Sequence, residues 1–337
     1  MTDRTVTDRT VTDRTVTDRT ATDSTATDST ATEATLERML ALFDVTPLGP
    51  DRFAGESDAG GHAGRHVVEG SQILAQAMVA AGKALSDKAL SDKALSGKAL
   101  PGRPAGWTVR SAHALFVAVA EPGEPLELGV ETVRAGRSFA SAVVTAGQGG
   151  RTRATVTVLL DQPQPDVIRH DRWSGAPPAG PAAAYPAEMP MRGRELRLEG
   201  VSDYGSPDET GPPVLDAWLR YDTVPGRDDL RRALLAHFTG HLSISAAMRA
   251  HPGIGTAQAH HTVSTAVMGI GVSFHDPVTW DGWIRYHHQS TFAGAGMAYA
   301  RGQVLTADGR LLASFTQDAM IRGLGDSAAS VPAEVRL

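Results

Sequence analysis

The chain has 337 residues, 41% of them hydrophobic, with 32 Lys and Arg against 38 Asp and Glu and a net charge of −6. The mild acidity speaks against a nucleic-acid partner, which calls for a basic face. The absence of cysteine removes disulfides, thiolate metal sites and a cysteine nucleophile.

The opening "MTDRTVTDRT" holds no apolar segment of the secretory kind, and no run of about 18 uncharged apolar residues follows anywhere, so a cytoplasmic protein without a membrane span is expected. Residues 3–34 repeat a five-residue unit, DRTVT grading into DSTAT. Neither helix nor strand puts a period of five on one face, and Thr, Asp and Arg build no core, so residues 1–35 read as a disordered tail. A second pentad, KALSD, recurs at 83–102 and reads as a surface insertion with partial helicity that runs into "PGRPAG" (101–106).

Outside these repeats the same order of elements occurs twice. In the first half, "RFAGES" (52–57) predicts a strand and "GSQILAQAMVAAGKAL" (70–85) an apolar helix. Strand-like runs follow at 109–120, at 125–148, split around Ala135–Gly136, and at 151–160. "QPQPDVIRHDRWSGAPPAGPAAAYPAEMP" (162–190) is a Pro/Ala-rich linker. The second half gives a strand at 215–223, a helix at 228–251, and strands at 261–275, 282–290, 294–309 and 310–322, with "TADGR" as a hairpin turn. One apolar helix and a run of antiparallel strands, used twice, predict an α+β protein in which each sheet wraps its own helix and the two units pair edge to edge.

The stretch "AHFTGHLSIS" (236–245) interrupts the second helix with Gly240, although glycine inside a helix costs about 1 kcal/mol relative to alanine. Three readings fit it. His241 serves as a general base, since imidazole titrates near 6.5, with the Gly240 N–H close to the substrate. The pair is a kink with a hydrogen-bonded histidine. Or a hydrolytic site has been lost. On the last strand, alternation puts Gln317 on an otherwise apolar face, where an unpaired amide costs about 1–3 kcal/mol and so needs a partner. The pairs His260–His261 and His287–His288 point to opposite sides if they are on strands and cannot chelate locally. With no Asp/Glu cluster at ligand spacing, neither metal nor cofactor is expected.

"EGSQILAQAM", "VRSAHALFV", "VRAGRSFASAVVTAGQGG", "WLRY", "LLAHFTGHL", "VSFHDPVTWDGWIRY" and "RGQVLTADGRLLASFTQDAMIR", in this order and spacing, resemble the acyl-CoA thioesterase II family over about residues 36–322. The resemblance implies a double-hotdog fold with an N-terminal unit at 36–161, a linker at 162–190, a C-terminal unit at 191–324 and a tail at 325–337. It also implies hydrolysis of acyl-CoA or acyl-carrier thioesters without metal or covalent intermediate. In that family a helix-borne Asp, a strand Thr or Ser and a last-strand Gln activate water. The Gln matches Gln317, the Asp position holds Gly240, and the hydroxyl position falls on Val267. Thr265, two residues earlier on the same face, or Ser264 through a bulge, is the candidate hydroxyl. Arg134, Arg137 and Ser138 in "VRAGRSF" match the family's CoA-binding segment. Gly70, Ser71 and Gln72 match its Gly-Gly-Gln helix start, where free N–H groups attract carbonyl oxygens and anions. A homo-oligomer formed through sheet edges is expected. A non-catalytic acyl-thioester binder, or a partner-shaping subunit, is the competing function. A hydratase reading wants an acid beside the histidine at the helix start.

Overall fold

The computed structural model describes residues 35–58, 67–96, 106–171, 178–187, 189 and 191–324. Residues 1–34 of the predicted tail, the end of the KALSD insertion at 97–102 and the tail at 325–337 lie outside the described residues, whereas Thr35 belongs to the folded part.

The Thr35 hydroxyl accepts a hydrogen bond from the Arg38 N–H at 3.1 Å and so caps α1, Leu36–Phe43. The hairpin β1 (Thr46–Gly49) and β2 (Arg52–Gly55) comes next. Helix α2 spans Gly70–Ser96 and is buried all round from Ser71 to Ala81, as its continuous apolar sequence requires. It runs on through the KALSD pentads because Lys, Ala and Leu are strong helix formers. Strands β3 (Thr108–Phe116), β4 (Leu126–Ala135), β5 (Phe139–Gln148) and β6 (Arg151–Asp161) lie where the alternation puts them and pack on α2.

The linker is less irregular than its composition suggests. It contains a 3-10 turn at Pro181–Ala183 and the two-residue strand β7 (Tyr185–Pro186), which pairs with an unpredicted strand β8 (Arg194–Glu199). After β9 (Val214–Tyr221), the predicted helix 228–251 is two helices. These are α3, Asp228–Phe238, and α4, Ser243–Met248, separated at residues 239–242. Strands β10 (Val263–Phe274), β11 (Ile284–Gly294), β12 (Met297–Thr306) and β13 (Leu311–Gly323) complete the chain. β10 starts two residues later than predicted, which leaves His260 and His261 in a turn with His260 at φ 66°.

All strands join in one antiparallel sheet ordered β1-β2-β4-β5-β6-β3-β10-β13-β12-β11-β9-β8-β7. The two halves share a topology: β2-β4-β5-β6-β3 and β9-β11-β12-β13-β10 have the same order counted from each half's first strand. The halves meet where β3 pairs with β10, Gly269 opposite Leu115 and Ser273 opposite Ser111. α2 and α3 pack against one another, so the N-terminal end of one central helix and the C-terminal end of the other share a corner.

His288 of β11 is fully buried, with Nδ1 3.0 Å from the Ser243 hydroxyl at the start of α4. Burial holds its imidazole down at about 3, against an ordinary 6.5. The folded chain therefore keeps this ring neutral at pH values where the unfolded chain protonates it. The stabilisation is complete above about pH 6.5 and declines as pH falls toward 3, by at most about 1.4 kcal/mol per pH unit for one group. Urea-unfolding midpoints measured from neutral to mildly acidic pH should fall more steeply for the wild type than for His288→Gln. Parallel slopes would remove His288 from the acid sensitivity.

Candidate active site

A cavity of about 720 Å³ opens beside the shared corner. Its apolar wall includes Val68, Ile73, Phe116, Met189, Leu242 and Val267, and its polar part includes Glu69, Ser71, His241 and Thr265. The first turn of α2 forms one side, where the helix dipole favours negative charge; its Gln72 and Ile73 N–H groups turn back to the Glu69 carbonyl at 3.0 and 3.4 Å.

α3 ends at Phe238, and the N–H groups of Thr239, Gly240 and His241 turn back to the carbonyls of Ala236, His237 and Phe238 at 3.1–3.2 Å. The chain then reverses through Leu242, which takes the left-handed conformation at φ 65°. Gly240 itself has no left-handed φ. Its need for glycine is spatial: a Cβ there would lie 2.5 Å from Ser71 Cβ and 2.6 Å from Ser71 Oγ. The side chain of Ser71 thus fills the volume that a side chain at position 240 would enter.

Gln317 lies on β13 directly below. Its Nε2 donates to the carbonyls of Gly240 at 3.1 Å and Thr239 at 3.3 Å. Its Oε1 is buried and meets no hydrogen-bond donor among the described residues. The partner that Gln317 requires is therefore the backbone of the helix break, which its Nε2 bonds while its Oε1 stays buried.

His241 lies with Nε2 3.5 Å from Oε2 of Glu69, and His237 Nε2 lies 3.1 Å from the same oxygen. The three side chains are 6–10% exposed. Phe43 packs on His237 with ring centroids 5.2 Å apart, Phe238 packs on His241 at 5.3 Å, and the two imidazoles meet edge to face at 5.1 Å. Sequence reasoning missed Glu69 and His237. Glu69 is separated from His237 by 168 residues, and only the docking of α3 on α2 brings them together. The one available signal was a glutamate at the last position before an otherwise apolar helix, where most residues are buried.

The predicted residues divide as follows. Gly70, Ser71, Gly240, His241 and Thr265 line one cavity, and Gln317 is bonded to its rim. Gln72 faces the other way and donates to the Glu56 carbonyl at 3.0 Å. Thr265 and Val267 both face inward, because a bulge between Val267 and Gly269 keeps their parity with Ile270. Thr265 pairs with Ile321 while Gln317 pairs with Ile270, a separation of four residues along β13 or about 13 Å. One water cannot bond both side chains over that distance. Arg134, Arg137 and Ser138 are on or beside the β4–β5 hairpin, near the end of the sheet where Phe139 pairs with Asp161 and Asp161 with Thr108. The cavity lies past Phe116, at the other end of β3, about 26 Å away. The fold does not bring this segment to the cavity within one chain. His260 and His261 also line the cavity. His287, with Nδ1 2.8 Å from Asp216, and His288 do face opposite sides of β11.

The chain matches two family models in tandem, the acyl-CoA thioesterase N-terminal domain at residues 59–160 and the acyl-CoA thioesterase C-terminal domain at residues 171–321. It is 25% identical over 307 residues to acyl-CoA thioesterase 2 of Haemophilus influenzae, covering 85% of this chain and 98% of that one. Among solved structures, it resembles the tesB protein of Mycobacterium avium subs paratuberculosis with a TM-score of 0.64 at 20% identity, over 85% of this chain and 99% of that one. A hot dog fold protein of Alicyclobacillus acidocaldarius matches with a TM-score of 0.62 at 19% identity, over 85% and 98%.

Substituting Gly240 by alanine should destabilise the protein by about 1–3 kcal/mol, because Ser71 Cβ belongs to a packed helix and cannot rotate away. Ser71→Gly in the same chain should restore most of that loss. Denaturant unfolding of the two single variants and the double variant checks the coupling. Additive effects would show that the two residues do not compete for the same space.

Proposed function

The chain belongs to the acyl-CoA thioesterase II family, with the double-hotdog fold, and we propose that it hydrolyses acyl-CoA thioesters at the corner between α2 and the α3–α4 break. The observation that carries the reading is the juxtaposition of a carboxylate, an imidazole and a helix N-terminus on the wall of one largely apolar cavity.

In this mechanism the acyl chain occupies the apolar part of the cavity and the thioester carbonyl oxygen points at the first turn of α2. The N–H groups of Gly70 and Ser71, the Ser71 hydroxyl and the positive end of the α2 dipole stabilise the developing oxyanion. A water held by Gln317 Oε1 attacks the carbonyl carbon. His241 accepts its proton on Nδ1, the nitrogen turned away from Glu69. The Glu69 carboxylate then stabilises the imidazolium, as an orienting acid does in a catalytic triad. The proton passes to the departing thiolate, giving free acid and thiol. Ser71 supplies the hydroxyl near the reacting centre, and Thr265 contacts a part of the substrate further along the cavity. With Gly240 in place of a carboxylate, the base comes from the next residue and its acid from the facing helix.

Homo-oligomer formation belongs to the same proposal. Leu115, Val133 and Phe139 are 59–61% exposed at separate points of the first half's strands, apolar side chains that a second copy would cover. Among the described residues no helix is long and apolar enough to cross a membrane.

Thiol release from a series of acyl-CoAs should show turnover for the wild type. His241→Ala should lower kcat by about 10²–10⁴ with a smaller change in KM. Glu69→Gln should lower kcat less, since it removes the partner and not the base. Unchanged kcat in His241→Ala would take this histidine out of the mechanism. Binding of acyl-CoA without turnover would favour a non-catalytic binder.

A further inference from the structure

The convergence of two imidazoles on one carboxylate oxygen has a second chemical use. We propose that Glu69, His237 and His241 bind one divalent first-row transition cation of the Zn²⁺ type, and that its occupancy switches hydrolysis off. The binding half stands on geometry alone, whereas the switching half rests on the hydrolytic reading above.

The donor set comes first. Two imidazole nitrogens and one carboxylate oxygen suit Zn²⁺ and its neighbours, whereas Mg²⁺ and Ca²⁺ want oxygen throughout. The spacing also fits. Ligands about 2.0–2.1 Å from a tetrahedral ion lie about 3.4 Å from one another. Glu69 Oε2 is 3.1 Å from His237 Nε2 and 3.5 Å from His241 Nε2, and all three ligand atoms lie within 4.8 Å of one another. An ion therefore enters with side-chain adjustments only.

The three residues are already held. His237 is in the last turn of α3, and the turn that follows brings the His241 ring to 5.1 Å from it, so both imidazoles reach the same carboxylate. Phe43 and Phe238 pack against the rings, and Glu69 immediately precedes α2. Little side-chain freedom remains to be lost on binding. Glu69 and His241 line the cavity, so a fourth coordination position faces a space that admits water.

The switch follows from which nitrogen is used. Coordination through Nε2 places the ring proton of each neutral imidazole on Nδ1. In the hydrolytic mechanism His241 must accept a proton on that same Nδ1. A cation on Nε2 therefore removes the base without touching the acyl pocket, and no net charge leaves the imidazoles in the tautomer shift.

The test uses the full chain, stripped with a chelator and dialysed to equilibrium against Zn²⁺, with Mg²⁺ as control. Bound metal, melting temperature and thiol release are read on the same samples. The expected result is about one Zn²⁺ per wild-type chain, a rise in melting temperature on loading, and turnover that falls at least about tenfold and returns with chelator. His237→Gln and Glu69→Gln, each shown to be folded by its own cooperative melt, should bind at least about tenfold more weakly and lose the thermal shift. No bound Zn²⁺, or equal affinity in all three proteins, overturns the site. Stoichiometric binding at these residues with undiminished turnover overturns the switch. Binding by a wild type that hydrolyses nothing, loaded or stripped, preserves the site and sinks the hydrolytic reading.

Discussion

The site depends on the contact between Ser71 and Gly240. The first turn of α2 comes so close to the end of α3 that no side chain fits at position 240, because Ser71 takes that space. This approach ends α3, displaces the left-handed turn onto Leu242, and sends the carbonyls of Thr239 and Gly240 toward β13, where Gln317 receives them. A leucine in the left-handed region is unfavourable by about 1–2 kcal/mol, so the packing around the break has to outweigh it. The glycine is thus neither an ordinary kink nor a flexible joint. It is a place where the chain just past α3 comes too close to α2 for any side chain.

The same approach determines the electrostatics of the corner. Glu69 sits at the last position before α2, where its carboxylate benefits from the helix dipole, and it meets the two histidines that the end of α3 supplies. In a nearly buried, ring-lined setting a lone carboxylate is unfavourable, and the facing imidazoles compensate for its burial. The arrangement gives an imidazole–carboxylate pair at the corner, with the carboxylate contributed from the side opposite the histidine.

Register fixes the remainder. The bulge in β10 keeps Thr265, Val267 and Ile270 on the inner face, and the pairing of Ile270 with Gln317 leaves Val267 as the residue nearer the glutamine. Of the hydroxyls of Ser71 and Thr265, the one that lies against Gly240 belongs to Ser71. The joining of β3 to β10 determines which end of the first sheet meets the second helix, and so the β4–β5 hairpin with Arg134 and Arg137 lies at the far end.

Much of the fold was legible in the sequence. Alternation located β6 and β13, strand-like runs split at Ala135–Gly136 located β4 and β5, and the continuous apolar run of α2 announced a helix buried on all sides, since burial periodicity is a local property of the chain. Gln317 on an apolar face was legible too, because a buried amide must find a partner. β8 and the capped α1 were not anticipated, nor was the splitting of the second helix, which comes from packing against another helix rather than from propensity. Sequence alone selected Gly240 and His241 as the unusual step and the family as the frame. Only tertiary structure could decide that Glu69 meets His241, that His237 shares its carboxylate, and that Arg134, Arg137 and Ser138 stand apart. Those facts depend on which helix ends and strand edges meet, and that is set by burial summed over the whole chain, with no trace in the spacing of the residues concerned.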